Sequence, residues 1–184
     1  LYYGKPRIDF ELLKKYHEGL ICLSACIQGE LPQLLLNGRE EDAYRVAKEY
    51  KELFGPDRYY IEIQDHGLDE QKEVAVKLIK LSKDLDIPLV LTNDVHYCNK
   101  DDAEAQDALR CIGFKKLLDE PHQTMGGGRK EWYLKTEQEM SILFPNYPEA
   151  IANTIKIANM CNLTIHQYTT PELKGCLPRF SLPI

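Results

Sequence analysis

Apolar and polar positions along the chain follow two different periods, which predicts strands that alternate with helices. Three short segments are almost continuously apolar, as expected of strands covered on both faces, at residues 20–23, 59–63 and 88–91. Apolar residues recur at helical spacing between them, most clearly over residues 40–54 and 74–85. Strand, polar loop and helix in repeated order are typical of parallel strands joined by crossover helices, so we predict an α/β fold.

The other segments predict four further helices, at residues 10–17, 31–36, 101–111 and 148–161. Asp9 is a good N-cap for the first of them, and Pro148 suits the first turn of the last. Thr136 and Glu139 have the spacing of a capping box, which marks another helix start.

Residues 121–130 include Gly126, Gly127 and Gly128, and we expect them to form a mobile loop before a short strand at residues 132–134. The glycine run lacks the spacing of a phosphate-binding loop, and no strand directly precedes it. The chain also contains neither a Gly-Lys-Ser/Thr motif nor a Gly-x-Ser-x-Gly nucleophile elbow.

Composition places the chain among globular proteins and argues against one kind of function. Its 184 residues suit one domain or most of one, and 43% hydrophobic with 28% charged residues allow a buried core. The formal net charge of -6 argues against nucleic-acid binding through the overall field, although a local basic patch stays open. The chain starts at Leu1 and ends in a proline-bearing stretch, so we expect a piece of a longer protein, although processing could also remove a Met.

The cysteines are scattered along the chain. They are Cys22, Cys26, Cys98, Cys111, Cys161 and Cys176. The chain has no secretory signal and no apolar run long enough to span a bilayer, so we expect reduced thiols in a cytoplasmic protein with no membrane partner. The even number of cysteines leaves disulfides open. Cys22 and Cys26 are not followed by a matching second pair, which argues against a zinc ribbon.

Asp94 and His96 are the most informative polar pair, because they follow the apolar segment at residues 88–91. On an extended segment, residues two apart point to the same face, and sites in parallel sheets are built at the carboxyl ends of strands. The pair could ligate a divalent metal, or Asp94 could orient His96 as a general base. A polar turn after a buried strand is the third interpretation, and the residues alone favour it.

Cys26 follows the segment at residues 20–23 in the same way, so a thiolate there could complete a mixed site, although a lone cysteine is more often a small buried apolar residue. Residues 65–67 could contribute polar groups to the same edge, but we favour a turn, in which Asp65 caps the next helix and Gly67 allows the bend. Glu62 alternates with isoleucines and is expected to face the interior and need a partner.

Several segments, taken together, resemble the bacterial DNA polymerase III alpha subunit. They are residues 2–9, 19–26, 29–32, 60–67, 88–97, 132–135, 148–162 and 177–180. They include Leu-Ser-Ala-Cys at residues 23–26 and Thr-Asn-Asp-Val-His at residues 92–96. Their order and spacing agree with the family along nearly the whole chain. Residues 112–118 and the glycine-rich loop depart from the family pattern, which leaves any role of that region in doubt.

The resemblance implies that residues 1–165 are the C-terminal portion of a PHP (polymerase and histidinol phosphatase) domain, and that residues 166–184 are a linker toward the polymerase core. The implied fold is an incomplete, distorted (β/α)7 barrel with parallel strands and crossover helices. Active members bind divalent metals such as zinc, manganese or magnesium. Three of the family's later metal ligands map onto Cys26, Asp94 and His96, whereas its initial His-x-His motif is absent from this sequence.

The resemblance also implies a function in DNA replication, within a DNA-directed DNA polymerase whose nucleotidyltransferase site lies outside these residues. This part would be a structural and interaction module, or else a metal-dependent phosphoesterase with 3′–5′ proofreading exonuclease activity when intact. A free-standing phosphatase agrees less well with the polymerase-like flanking segments. The implied partners are the rest of the alpha subunit, other replisome subunits, and DNA through the parent protein.

Overall fold

Three parallel strands form the centre of the structure, a computed structural model that describes residues 7–120 and 124–164. The strands β1 (Cys22–Leu23), β2 (Tyr59–Ile63) and β3 (Leu89–Leu91) lie in the order β1-β2-β3. Cys22 pairs with Tyr59, and Ile61 pairs with Leu89, both in parallel register. The predicted α/β class with parallel strands is confirmed.

Helices supply the crossovers and the last part of the described chain. They are α1 (Phe10–Tyr16), α2 (Glu30–Leu36), α3 (Glu40–Phe54), α4 (Asp69–Leu85), α5 (Ala103–Phe114), α6 (Glu137–Leu143) and α7 (Pro148–Met160), with 3-10 turns at Lys100–Asp102 and Met125–Gly128. α2 and α3 connect β1 to β2, and α4 connects β2 to β3. All the predicted helices are present, with ends within a few residues of the prediction.

Three predicted helix starts are confirmed by their hydrogen bonds or geometry. The Asp9 carboxylate accepts from the Leu12 backbone N–H at 2.8 Å and caps α1. Thr136 and Glu139 form the expected capping box at α6, and Pro148 occupies the first turn of α7. The Asp9 and Thr136 side chains accept hydrogen bonds from backbone N–H groups that a helix start leaves unpaired, and Pro148 has no such N–H group.

One face of the sheet packs on helices and forms the hydrophobic core. The buried members of this core are Leu31, Leu35, Ala43, Val46, Ala47, Phe54, Tyr59, Ile61, Ile63, Val74, Leu78, Leu81, Ile87, Leu89, Leu91 and Ala150. α7 packs along β3, where Asn153 donates its side-chain N–H to the Leu89 carbonyl at 2.7 Å. This bond satisfies a backbone acceptor of a strand that pairs on only one side among the described residues.

Two strand predictions are wrong. Residues 20–23 are not covered on both faces, because Cys22 and Leu23 in β1 are only half-buried and Leu20 is 48% exposed. Residues 132–134 do not form a strand of their own; they contribute a single parallel bridge between Tyr97 and Tyr133. β2 and β3, by contrast, are almost fully buried, as predicted.

Several predictions fall outside the described residues, including the linker at residues 166–184, Cys176 and the last segment of the family resemblance. The linker therefore stays a prediction. The five described cysteines are free thiols, as expected. None of the helices in the two described ranges combines the length and apolar character needed to cross a membrane.

Gly29 should tolerate no side chain, because an added Cβ would lie 2.4 Å from the Ser24 carbonyl oxygen. We expect Gly29→Ala to lower the free energy of unfolding by about 1–3 kcal/mol in urea denaturation, the usual result of overpacking. Gly113→Ala in α5 is the matched control, since an added Cβ there has nothing within 4 Å and should change stability by less than about 1 kcal/mol. Equal effects of the two substitutions would contradict the prediction.

Candidate functional site

The loops that follow the three strands emerge at one edge of the sheet, because the strands are parallel. Residues 24–29 follow β1, residues 64–67 follow β2 and residues 92–97 follow β3. The predicted site residues Cys26, Asp94 and His96 therefore lie on two of the three loops at this edge.

A polar layer joins the carboxyl ends of the strands. The Glu62 backbone N–H donates to Ser24 Oγ at 2.8 Å, which ties β2 to the end of β1. The half-buried Glu62 carboxylate accepts from Gln64 Nε2 at 2.8 Å and from the Thr92 hydroxyl, which ties β2 to the end of β3. The expectation that Glu62 needs a partner is confirmed.

Cys26 lies in a tight, strained loop. Ala25, which precedes it, adopts a left-handed conformation with φ of 68°, a region that residues with a Cβ rarely occupy. The half-buried Cys26 lines a cavity of about 10 Å³ together with Glu62 and Gln64, which is room for about one water molecule. Most of the residues that line this cavity are apolar, and Glu62, Gln64 and Gln71 are its polar members.

The prediction that the Asp94 and His96 side chains point to the same face assumed an extended chain, and Asp94 is not extended. Its φ is 43°, so the two-residue alternation of an extended strand does not apply. β3 has already ended at Leu91, and the side chain of the buried Asn93 bonds outside the sheet. The argument from strand alternation was therefore wrong at this position.

His96 is exposed, and its ring is nevertheless oriented. Its Nδ1 lies 2.6 Å from the Asp94 backbone carbonyl, and because a carbonyl can only accept, Nδ1 carries the proton. In the neutral ring the proton on Nδ1 leaves a lone pair on Nε2, as in histidines that bind metals through Nε2. The partner is the carbonyl of Asp94 and not its carboxylate, so the structure does not form the Asp–His dyad of a general base.

The described residues do not complete a metal site by themselves. No group of three or more His, Cys, Asp or Glu side chains within residues 7–120 and 124–164 could hold a metal ion. Cys26, Asp94 and His96 are therefore not brought together into such a group, and their assignment as ligands stays a prediction.

His66, which the sequence placed in a turn, is buried with only 1% of its surface exposed. Its Nε2–H donates to the Asn93 carbonyl at 2.9 Å, and its Nδ1 accepts from Gln71 Nε2 at 2.8 Å. The ring stacks on Trp132 with centroids 4.3 Å apart. Burial lowers the pKa of His66, which keeps the ring neutral.

The turn itself is confirmed, because the Gly67 N–H donates to Asp65 Oδ1 at 2.7 Å. Asp65 does not cap the next helix, however, and that part of the prediction is wrong. α4 begins at Asp69, two positions after Gly67, and its N-cap residue is Leu68.

Asn93 fastens the loop after β3 to the segment at residues 131–135. Its Nδ2 donates to the carbonyls of Glu131 and Tyr133 at 3.0 and 2.7 Å, and its Oδ1 accepts from Lys135 Nζ at 3.2 Å. The His96 backbone N–H adds a bond to the Trp132 carbonyl at 2.9 Å. The 6% exposed Asn93 is thus satisfied by partners distant in sequence, which sequence reasoning missed.

The glycine-rich segment packs against this region. A Cβ on Gly126 would lie 2.0 Å from Trp132 Cη2, and its φ of 56° is left-handed, so both contact and conformation require glycine. The predicted mobility of residues 121–130 stays a prediction, but Gly126 has a packing role beside Trp132.

Comparison with known proteins relates the chain to one family of large enzymes. The PHP domain family model matches residues 1–66, a range that includes Cys26 and ends before Asp94 and His96. The chain is similar to DNA polymerase III subunit alpha of Treponema pallidum, with 50% identity over 98% of the chain, and of Borreliella burgdorferi, with 42% identity over 100% of it. The protein of the same name from Campylobacter jejuni is 42% identical over 95% of the chain. The chain spans about 15% of the length of each of these relatives.

His66 should make the stability of the chain sensitive to acid. Because burial lowers its pKa in the folded state, the unfolded chain takes up a proton first as the pH falls below about 6.5. Neutral His66 therefore makes its full contribution to the free energy of unfolding above that pH. Below that pH this contribution is lost, by at most about 1.4 kcal/mol per pH unit. In urea denaturation between neutral and mildly acidic pH, His66→Gln should give a flatter dependence of unfolding free energy on pH.

His17→Gln is the matched control for this comparison, because it removes a histidine at the end of α1, away from the candidate site. It should leave the pH dependence steeper than His66→Gln does. Identical pH dependence in the two variants would show that His66 does not carry the effect.

Proposed function

We propose that this chain, a relative of the DNA polymerase III alpha subunits that matches the PHP domain family in its first 66 residues, acts as part of the PHP domain of a replicative polymerase subunit. The observation that carries the proposal is 50% identity to such a subunit over 98% of the chain. The parallel strands and crossover helices agree with a barrel-like fold of which this chain holds one part.

Within the longer subunit, we assign residues 1–165 to the PHP domain and residues 166–184 to a linker toward the polymerase core. DNA synthesis then takes place elsewhere in that subunit, because nucleotidyl transfer needs a two-metal carboxylate site. The part played by this chain is structural: its buried core packs one face of the sheet, and the loops at the strand ends are held by hydrogen bonds. DNA and the other replisome subunits are partners of the whole subunit.

The loops also suit a shared metal site in the intact domain. We assign Cys26, Asp94 and His96 as ligands that residues outside this chain complete. The free Nε2 of His96 supports the assignment, because its Nδ1 is held by a carbonyl as in metal-binding histidines. Thiolate and imidazole favour zinc, whereas a carboxylate also suits manganese or magnesium. A metal bound there would supply Lewis acidity for phosphoester chemistry.

The 184-residue chain alone should show no manganese-dependent exonuclease activity, because its described residues do not complete a metal site. A single-turnover assay on single-stranded DNA, with excess protein and manganese, should give no cleavage above a protein-free control. Robust hydrolysis that a chelator abolishes would overturn the prediction.

His96→Ala should reduce the metal content of the intact polymerase subunit, since it removes an imidazole with a free Nε2. Elemental analysis after dialysis against limiting zinc or manganese should show metal affinity lowered by at least about tenfold. His17→Ala, which removes a histidine distant from the strand ends, should retain the metal. Equal metal content in both variants would exclude His96 as a ligand.

A further inference from the structure

We propose that His66 is a positioning residue that holds Asp94 and His96 in place through the backbone carbonyl of Asn93. The inference rests on the proposed role of those two residues as ligands. His66 follows β2 and Asn93 follows β3, so their hydrogen bond of 2.9 Å joins two strand-end loops across the edge of the sheet. His66 itself offers no free ring nitrogen and therefore is not a ligand.

The surroundings of His66 fix which of its nitrogens donates. The Gln71 side chain turns both of its ends toward His66: Oε1 accepts from the His66 backbone N–H, and Nε2 faces Nδ1, each at 2.8 Å. Because an amide N–H can only donate, Nδ1 must accept, and the proton of the neutral ring resides on Nε2. Nε2–H can then donate to the Asn93 carbonyl and to no other described group.

The ring is also fixed in space. It stacks on Trp132 at an interplanar angle of 9°, and Trp132 is in turn packed against Gly126. The Trp132 carbonyl accepts the His96 backbone N–H at 2.9 Å. The segment that supports the His66 ring therefore also holds the backbone of His96.

Asn93, which is held at its carbonyl and at its side chain, in turn holds the backbone of Asp94 in place. Its carbonyl is held by His66, and its side chain is held by the carbonyls of residues 131 and 133. With Asn93 held at both groups, Asp94 is kept at a φ of 43°, in the left-handed region that residues with a side chain adopt less readily than glycine. At that φ the Asp94 carbonyl meets Nδ1 of His96.

The consequence is a defined tautomer at His96. A free imidazole favours the proton on Nε2, and the bond to Asp94 moves it to Nδ1, which frees Nε2. If His66 releases Asn93, Asp94 can relax to an extended conformation, and the bond to Nδ1 of His96 is lost. The tautomer of His96 is therefore a readout of positioning by His66 that requires neither a bound metal nor catalytic activity.

The test compares His66→Phe with His66→Gln by nitrogen NMR of the histidine rings, at a pH well above the usual pKa of histidine. Phenylalanine keeps a ring to stack on Trp132 and removes both nitrogens. Glutamine places an amide N–H the same number of bonds from the backbone as Nε2, so it can still donate to Asn93. His17 is the internal control, because its Nδ1 lies 2.7 Å from the Lys14 carbonyl in a separate helix.

In His66→Phe, the Nδ1 resonance of His96 should shift from the protonated toward the unprotonated position, whereas His66→Gln should restore the protonated position at least in part. The His17 resonances should not change in either variant. A folded His66→Phe variant with an unchanged His96 spectrum would overturn the proposal, and so would a shift that glutamine fails to reverse.

If His66→Phe does not fold, His66→Met decides the question. Methionine is similar in size to glutamine but has no N–H to donate to the Asn93 carbonyl. The His96 resonance of His66→Met should be shifted in the same direction relative to His66→Gln, and equal resonances in these two variants would overturn the proposal. All of these NMR samples are free of metal, so the tautomer result decides the positioning role by itself. If His96 fails to bind metal in the intact subunit, the ligand role is rejected, and the positioning role is still decided by the NMR result.

Discussion

The pairing of β2 with a parallel strand on each side is the constraint on which the candidate site depends. It brings the ends of β1, β2 and β3 to one edge, so that loops far apart in the sequence become neighbours. The Glu62 N–H donates to Ser24 Oγ, and the Thr92 hydroxyl donates to the Glu62 carboxylate, so the ends of the outer strands are fixed to the central one. Without this pairing, neither the polar layer nor the bond from His66 to Asn93 could form.

The alternation of side chains along β2 separates the core from the site. Ile61 and Ile63 point into the hydrophobic core, whereas Glu62, between them, belongs to the polar layer. A buried polar group without a partner is unfavourable by about 1–3 kcal/mol, and most of these polar groups bond to one another or to backbone, with Gln64 Oε1 as the exception among the described residues. Asn93 follows the same requirement, since all its side-chain hydrogen-bonding groups have protein partners. The hydrogen bonds that allow these polar groups to be buried therefore also fix their positions at this edge of the sheet.

The sequence predicted the elements well because their signals are local. The stripe of α3, the cap at Asp9 and the capping box at Thr136 depend on residues within a few positions of each other. The exposure of β1 was not predictable in this way, since it depends on which elements pack against its faces. The contacts of His66 and Asn93 were missed for a related reason: apart from Gln71, which is five positions from His66, their side-chain hydrogen-bond partners lie 27 to 42 positions away, and nothing in the local pattern indicates such a contact.

The sequence placed the candidate ligands Asp94 and His96 on the loop after β3, where the structure has them, but it assumed an extended chain there. What decides their geometry is the left-handed Asp94, and the other left-handed residues show why this matters. Asp86 and Lys115 end helices α4 and α5, where that conformation is usual, and Asp57 lies in the turn before β2. Ala25 and Asp94 have no such role, and each lies next to a candidate ligand or is one.

A turn that only reverses the chain is most easily made with glycine, as the chain does at Gly55 and Gly67. At Asp94 a residue with a side chain occupies a conformation that glycine would adopt without strain, and the surrounding hydrogen bonds keep it there. Such strain is retained where the side chain or the resulting geometry is needed, because otherwise a substitution to glycine would relieve it. The strained backbone at Asp94, together with the ring orientation it gives to His96, therefore favours a ligand-presenting role for this loop over a simple turn.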